Sequence, residues 1–262
     1  MSVLHINGAS LNYRLEGDTG PVVMLCNSLA STLAMWAPQV PALLAAGYRV
    51  LRYDTRGHGA SSVPPGPYTI DQLAADALGL IDVLGFEKIH FCGLSLGGMT
   101  GQRFATLHGT RLYSLTLCAT AAWMGPPELW EARIQQVLAH GMSSVVEATL
   151  QRWFTSAGLA RMETELAPIR EGILHTPPAG YAACGAAIRD MDQRESIRAI
   201  TTPTLIIAGA LDPGTTVEHA RQLHTAIEGS ELLIIPESQH LLNLEAAGAF
   251  NSGLLSFLQR HG

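Results

Sequence analysis

Short apolar runs alternate with helical stretches along most of this chain. Residues 22–26 are continuously apolar, the pattern of a strand buried on both faces of a parallel sheet. Residues 48–53, 112–119, 204–209 and 231–235 read as further strands, and so does the run leading into Gly93. At the start, residues 3–6 and 10–15 flank Asn7-Gly8, a strong hairpin dipeptide. Helices are predicted near 35–46, over 99–108 and at the C-terminal end. Two more open on capping pairs: Thr69/Gln72, running to about Leu84, and Thr215/Glu218, running to about Ile227. Eight strands in this rhythm predict an α/β fold, with a mostly parallel sheet covered by helices on both faces. The rhythm stops at Ala121. From there to about Ser196 the pattern is helical without a clear strand, and it holds Trp123, Trp130 and Trp153. The expected organisation is one α/β core, residues 1–120 and 197–262, interrupted by a helical cap at 121–196.

The stretch Lys88-Ile89-His90-Phe91-Cys92-Gly93-Leu94-Ser95-Leu96-Gly97-Gly98 feeds a strand into Gly-x-Ser-x-Gly, with a helix behind it. That is the context of a nucleophile elbow. The turn is so sharp that the residues two before and two after the serine must lack side chains, hence Gly93 and Gly97. Ser95 then projects from the sheet edge, and the Leu96 N–H is one donor for a developing oxyanion.

A serine hydroxyl is a weak nucleophile, so it needs a base and a group that orients the base. In sheets of this type such groups sit on loops leaving the carboxyl ends of strands, in the chain order serine, acid, histidine. Of the ten histidines, only His240 lies in the loop after the last strand. Asp212 closely follows the strand at 204–209, whereas the loop after 112–119 offers Thr120-Ala121-Ala122 and no carboxylate. The second oxyanion donor is expected in Asn27-Ser28-Leu29, after the strand at 22–26: the Leu29 N–H, with Ser28 as the lesser candidate.

Composition narrows the partners. With 47% apolar and 15% charged residues, a sizeable buried core is available. The net charge is −6 and no Lys/Arg cluster stands out, which argues against nucleic acid. Cys26, Cys92 and Cys118 fall in apolar runs, and no pair of the four cysteines has metal-ligand spacing. They read as reduced core residues of a cytoplasmic protein. The first residues enter a strand pattern directly, without a basic region, apolar signal core or membrane span. Arg56 and His58 are expected to hold a strand end by hydrogen bonds, without a part in the chemistry.

Over its whole length the chain resembles the α/β-hydrolases, and within them the 3-oxoadipate enol-lactonases. The more specific segments are Asn27-Ser28-Leu29, where many hydrolases have His-Gly, and Gly66-Pro67-Tyr68-Thr69-Ile70. Trp130-x-x-Arg133-Ile134, Arg152-Trp153-Phe154, Gly180-Tyr181-Ala182-Ala183-Cys184 and His240-x-x-Asn243-x-Glu245 also carry it. The Arg52–Gly59 loop and the elbow are shared more widely. Gly109-Thr110 and Pro126-Pro127 depart from the pattern.

The resemblance implies an α/β-hydrolase fold and a cofactor-free, metal-free serine hydrolase. Its substrate would be a small anionic enol lactone bearing an acetate arm, opened to 3-oxoadipate through an acyl-enzyme. Because that substrate is anionic and the protein is net negative, a local cation should meet the acetate: Arg133, with Trp130 walling the pocket. Trp36, Trp123 and Trp153 are expected to pack in the core. The same scaffold also carries other carboxylesterases, lactonases, perhydrolases and C–C hydrolases. A hydrolase-fold receptor with little turnover is the reading from another class, and an intact Ser95–Asp212–His240 set argues against it.

Overall fold

The computed structural model describes residues 2–261, the side chains of residues 163–165 excepted. Eight strands form one sheet: β1 (Ser2–Ile6), β2 (Ala9–Glu16), β3 (Val22–Cys26), β4 (Arg49–Tyr53), β5 (Ile89–Leu94), β6 (Leu112–Cys118), β7 (Thr204–Gly209) and β8 (Glu231–Ile235). Their order is β1-β2-β4-β3-β5-β6-β7-β8. β1 and β2 form the expected antiparallel hairpin, β2 is antiparallel to β4, and all later pairings are parallel. Every residue of β3, β5 and β7 is buried. That follows from helices covering both faces, and it explains why these strands read as unbroken apolar runs. Each large apolar side chain so buried contributes about 1.5–3 kcal/mol.

Between the strands lie α1 (Gln39–Ala45), α2 (Ile70–Val83) and α3 (Leu96–His108). The helix expected over 35–46 is two pieces, a 3-10 turn at Leu33–Trp36 and then α1, because Pro38 cannot donate to a continuing helix. α2 starts as expected: the Gln72 N–H donates to the Thr69 hydroxyl at 3.1 Å. The helix expected at 99–108 begins three residues earlier, directly after Ser95.

The insertion between β6 and β7 is helical: α4 (Pro127–His140), α5 (Val146–Trp153), α6 (Ser156–Arg161), α7 (Glu163–Leu174) and α8 (Pro178–Asp190). Pro127 opens α4 in its first turn, where a missing N–H costs nothing. At the base of the insertion the Gln193 N–H donates to the Ala122 carbonyl at 2.8 Å, beside a single β-bridge between Trp123 and Asp192. After β7 come α9 (Val217–Ala226), α10 (Leu242–Glu245) and α11 (Ala247–Arg260). All four cysteines are buried and free. Among the described residues no helix is long and apolar enough to cross a membrane.

One buried ion pair anchors the loop after β4. Arg56 meets Asp76 of α2 through Nε–Oδ2 at 2.5 Å and Nη2–Oδ1 at 2.6 Å. Arg56 Nη2 also donates to the Asn7 carbonyl at 3.1 Å, and Asn7 Nδ2 donates to Asp76 at 3.2 Å. Hairpin turn, loop and helix thus share one bidentate charge pair. Removing one partner strands the other charge in a dry interior. Asp76→Ala should therefore lower the unfolding free energy by about 3–5 kcal/mol in urea titrations. Removal of the exposed Arg103–Asp71 pair by Arg103→Ala should cost less than about 1 kcal/mol.

Candidate active site

The carboxyl ends of the parallel strands lie along one edge of the sheet. Cys26 pairs with Gly93, Leu94 with Cys118, Cys118 with Ile207, and Gly209 with Ile235. The loops bearing Leu29, Ser95, Asp212 and His240 all leave from this edge.

Ser95 occupies the turn between β5 and α3 with φ 56° and ψ −113°. A residue with a side chain is strained there by about 1–3 kcal/mol. Three hydrogen bonds over-determine the conformation. The Ser95 N–H donates to the Cys118 carbonyl (2.9 Å), and its carbonyl accepts from the Met99 N–H (2.9 Å) and the Thr120 hydroxyl (2.8 Å). The glycine requirement is met by close backbone contacts. A Cβ on Gly93 would lie 2.1 Å from the Gly97 oxygen, and one on Gly97 would lie 2.1 Å from the Cys26 oxygen. Leu96 is the first residue of α3, so its N–H lacks an intrahelical acceptor and stands at the positive end of the helix dipole.

On the opposite side, Asn27 is held from both ends of its amide. Trp36 Nε1 donates to Oδ1 at 3.0 Å, and Nδ2 donates to the Tyr53 carbonyl at 2.8 Å. The Ser28 N–H is directed at Met35 Sδ (3.4 Å), and the Ala30 N–H donates to His58 Nε2 (2.9 Å). Among the described residues the Leu29 N–H has no acceptor. That separates the two candidates: Leu29, not Ser28, has the available donor.

Asp212 and His240 meet as expected, with Nδ1 and Oδ2 2.7 Å apart. The Asp212 Oδ1 accepts from the Gly214 N–H (2.8 Å) and the Thr215 N–H (3.1 Å). The Thr215 hydroxyl donates to Oδ2 (2.6 Å) and lies 3.2 Å from His240 Nδ1. Burial by itself lifts this carboxyl. The His240 charge and the bonds from His240, Thr215 and Gly214 outweigh it and hold Asp212 below the usual carboxylate range. Thr215 is a correction to the capping pair expected from the sequence. α9 is capped one residue later, by Thr216 with the side chain of His219 reaching back. The Thr215 hydroxyl is committed to Asp212 instead.

His240-x-x-Asn243-x-Glu245 proves to be a set of ties for the histidine loop. Glu245 Oε2 accepts the Gln239 N–H (2.8 Å), while Oε1 accepts the Thr155 N–H (2.9 Å) and hydroxyl (2.5 Å) from the cap. The Leu241 N–H donates to the Trp153 carbonyl (3.0 Å), and Asn243 Nδ2 donates to the Met35 carbonyl (2.8 Å). His240 is thereby fixed to both the insertion and the loop after β3.

Ser95, Asp212, His240 and Leu29 line one cleft, together with Trp130 and Arg133 of α4. Trp130 holds its place through Nε1, which donates to the Met124 carbonyl at 3.1 Å. The Arg133 guanidinium sits 5.5 Å from the Trp130 ring centre and 5.6 Å from that of Tyr181. Its Nη2 donates to the Thr149 hydroxyl at 3.2 Å. Arg152 of α5, which sequence reasoning missed, also lines the cleft and donates to the same hydroxyl at 3.3 Å. Burial and the neighbouring charge of Arg133 pull the Arg152 guanidinium below its ordinary pKa. Neither arginine meets a carboxylate among the described residues, and the buried Arg133 Nε and Tyr181 hydroxyl have no partner there.

Trp36 and Trp153 are buried in the core as expected, Trp153 also bordering the cleft, whereas Trp123 is 37% exposed beneath the Arg194 guanidinium. Among the described residues no group of three or more His, Cys, Asp or Glu side chains could hold a metal ion.

The family model for the alpha/beta hydrolase fold matches residues 21–247. The chain is 37% identical to 3-oxoadipate enol-lactonase 2 of Acinetobacter baylyi, an alignment spanning 96% of this chain and 94% of that one. The crystal structure of the enol-lactonase from Burkholderia xenovorans superposes with a TM-score of 0.96 at 42% identity, covering 98% of this chain and all of that one (100%). A malate-bound thermophilic esterase from Thermogutta terrifontis gives a TM-score of 0.93 at 28% identity, covering 100% and 99%.

Thr215→Val preserves volume while removing the hydroxyl that shares Asp212 with His240. A hydrogen bond to a charged group contributes about 1.5 kcal/mol or more. The variant should lose about tenfold in kcat on a simple ester, with KM shifted less than about twofold. Steady-state kinetics on p-nitrophenyl acetate measures this.

Proposed function

The chain belongs to the α/β-hydrolase superfamily, is closely related to the 3-oxoadipate enol-lactonases and is an ester hydrolase; we propose that its substrate is 3-oxoadipate enol-lactone. In this reading the catalytic residues are Ser95, His240 and Asp212. The Ser95 hydroxyl attacks the lactone carbonyl while His240 Nε2 takes its proton. Asp212 holds the ring through Nδ1 and offsets the imidazolium charge. The N–H groups of Leu29 and Leu96 receive the oxyanion, a contribution of several kcal/mol when two donors converge. Collapse of the tetrahedral intermediate breaks the ring C–O bond, and His240 returns its proton to the departing enol oxygen. The enol tautomerises to a ketone, so it is a good leaving group, and it stays tethered to the acyl-enzyme. Water activated by His240 adds to the acyl carbon and releases the diacid.

The observation that carries the substrate class is the pair Arg133 and Arg152. Two half-buried guanidinium groups share one threonine hydroxyl, face the cleft and lack an acidic partner among the described residues. Like charges so placed repel one another, and a substrate carboxylate relieves that. The acetate arm of the lactone supplies it, and the Trp130 and Tyr181 rings keep the Arg133 plane in position.

The test compares an anionic enol lactone with a small neutral ester. Ser95→Ala should abolish turnover of both while leaving the thermal unfolding transition in place. Arg133→Ala and Arg152→Ala should each reduce kcat/KM for the lactone by about one to two powers of ten, the worth of a charge-assisted hydrogen bond. The neutral ester should change less than about threefold. Equal losses on the two substrates would mean that the arginines hold the cap together and that the anionic substrate is wrong.

A further inference from the structure

The loop Arg56-Gly57-His58-Gly59 meets the residue after Leu29 through His58, and Arg56 ties it to α2. We propose that His58 is a positioning residue for the oxyanion site, holding the peptide after Leu29 so that the Leu29 N–H stays turned into the cleft. This rests on the reading of Leu29 as an oxyanion donor.

Both peptide planes flanking Leu29 are pinned from outside. The first contains the Ser28 carbonyl and the Leu29 N–H, which point in opposite directions. That carbonyl accepts from the Ser31 hydroxyl (2.7 Å) and N–H (3.3 Å), so the Leu29 N–H is directed away from Ser31. The second plane contains the Ala30 N–H, which donates to His58 Nε2 at 2.9 Å. Without that acceptor, Ala30 would be held at φ 61°, a left-handed conformation unfavourable to any residue with a Cβ, for no return.

His58 is built to accept there. Its Nδ1 lies 3.3 Å from the Arg56 carbonyl, which can only accept, so the proton resides on Nδ1 and the lone pair on Nε2. The side chain is 1% exposed, and burial lowers its pKa to about 4 against the opposing pull of Asp54. The Cys184 thiol, 4.0 Å from Nδ1, is itself pushed up by burial and stays neutral. Burial thus outweighs the Arg56 carbonyl and Asp54, the two neighbours that favour an imidazolium, which would present a second N–H to the Ala30 N–H.

The loop that carries the ring is itself backed by the cap. α8 of the cap lies against the loop so closely that a Cβ on Gly57 would stand 2.7 Å from the Gly180 Cα. The Cys184 thiol donates to the Arg56 carbonyl at 3.6 Å. The helix that places Tyr181 beside Arg133 therefore also backs the loop that shapes the oxyanion site.

Two substitutions separate this role from simple packing. Asparagine keeps the donor toward the Arg56 carbonyl but is too short to reach the Ala30 N–H. Glutamine places an oxygen near the Nε2 position. On p-nitrophenyl acetate, His58→Asn should lose about ten- to a hundredfold in kcat with KM within about twofold. Affinity for methylboronic acid, whose tetrahedral serine adduct fills the oxyanion site, should fall in parallel. His58→Gln should recover most of both losses. A folded His58→Asn enzyme with wild-type kcat and boronate affinity would overturn the proposal. So would a His58→Gln enzyme that loses more than about tenfold, and this arm decides the matter alone if the asparagine variant does not fold. Wild-type protein without ester turnover would overturn the hydrolase reading and this one with it.

Discussion

The contact between the Cys26 carbonyl and Gly97, where the end of one central strand meets the first turn of the neighbouring helix, is the constraint on which the rest of the structure depends. It exists because β3 and β5 are adjacent and parallel, in a register that sets Cys26 beside Gly93. With no side chain at Gly93 or Gly97, α3 can begin immediately after β5 and turn back over the sheet edge. Ser95 is left at the apex in a strained conformation, held by Cys118 and Thr120 from β6 and the residues after it. Two strands on either side thus support one residue. The same approach of backbones brings the loop after β3, which carries Leu29, opposite the start of α3, which carries Leu96.

Around that apex the charges are distributed unevenly. The Asp212 carboxylate has every lone-pair direction answered by Gly214, Thr215 or His240, and it remains ionised despite its burial. The arginines in the roof are the reverse case, with a single shared hydroxyl and aromatic walls but no counter-charge among the described residues. An ion pair completed within the protein would have left nothing for a ligand. Charge satisfied at the base and unsatisfied at the roof gives the cleft a direction, which suits a substrate with an ester at one end and a carboxylate at the other.

The roof is not a loosely attached lid. Glu245 joins the histidine loop to Thr155 of the cap, and α8 presses on Gly57, next to the His58 that meets the loop after β3. The segments carrying Leu29, His240 and the cleft arginines are therefore mutually braced. Preorganisation of this kind keeps donors where charge develops and avoids rearrangement during the reaction.

Much of this was legible in the chain itself, because the signals are local. Continuous apolar runs mark strands buried on both faces, and the elbow announces itself through two glycines and a serine at fixed spacing. Chain order then singles out Asp212 and His240. Helix ends were less legible. Thr215 and Thr216 are adjacent and chemically alike, so the pattern could not say which caps α9 and which serves Asp212. The choice between Ser28 and Leu29 depended on Met35 taking one N–H, a contact across seven residues. Arg152 was invisible as a site residue because nothing in α5 states which of its faces will meet α4. His58 looked like part of a strand-end loop until the fold set it beneath Ala30, 28 residues away. Elements and the residues of a short motif are set by neighbours in sequence. Which buried donor finds which acceptor is set by long-range packing, and only the tertiary structure decided that.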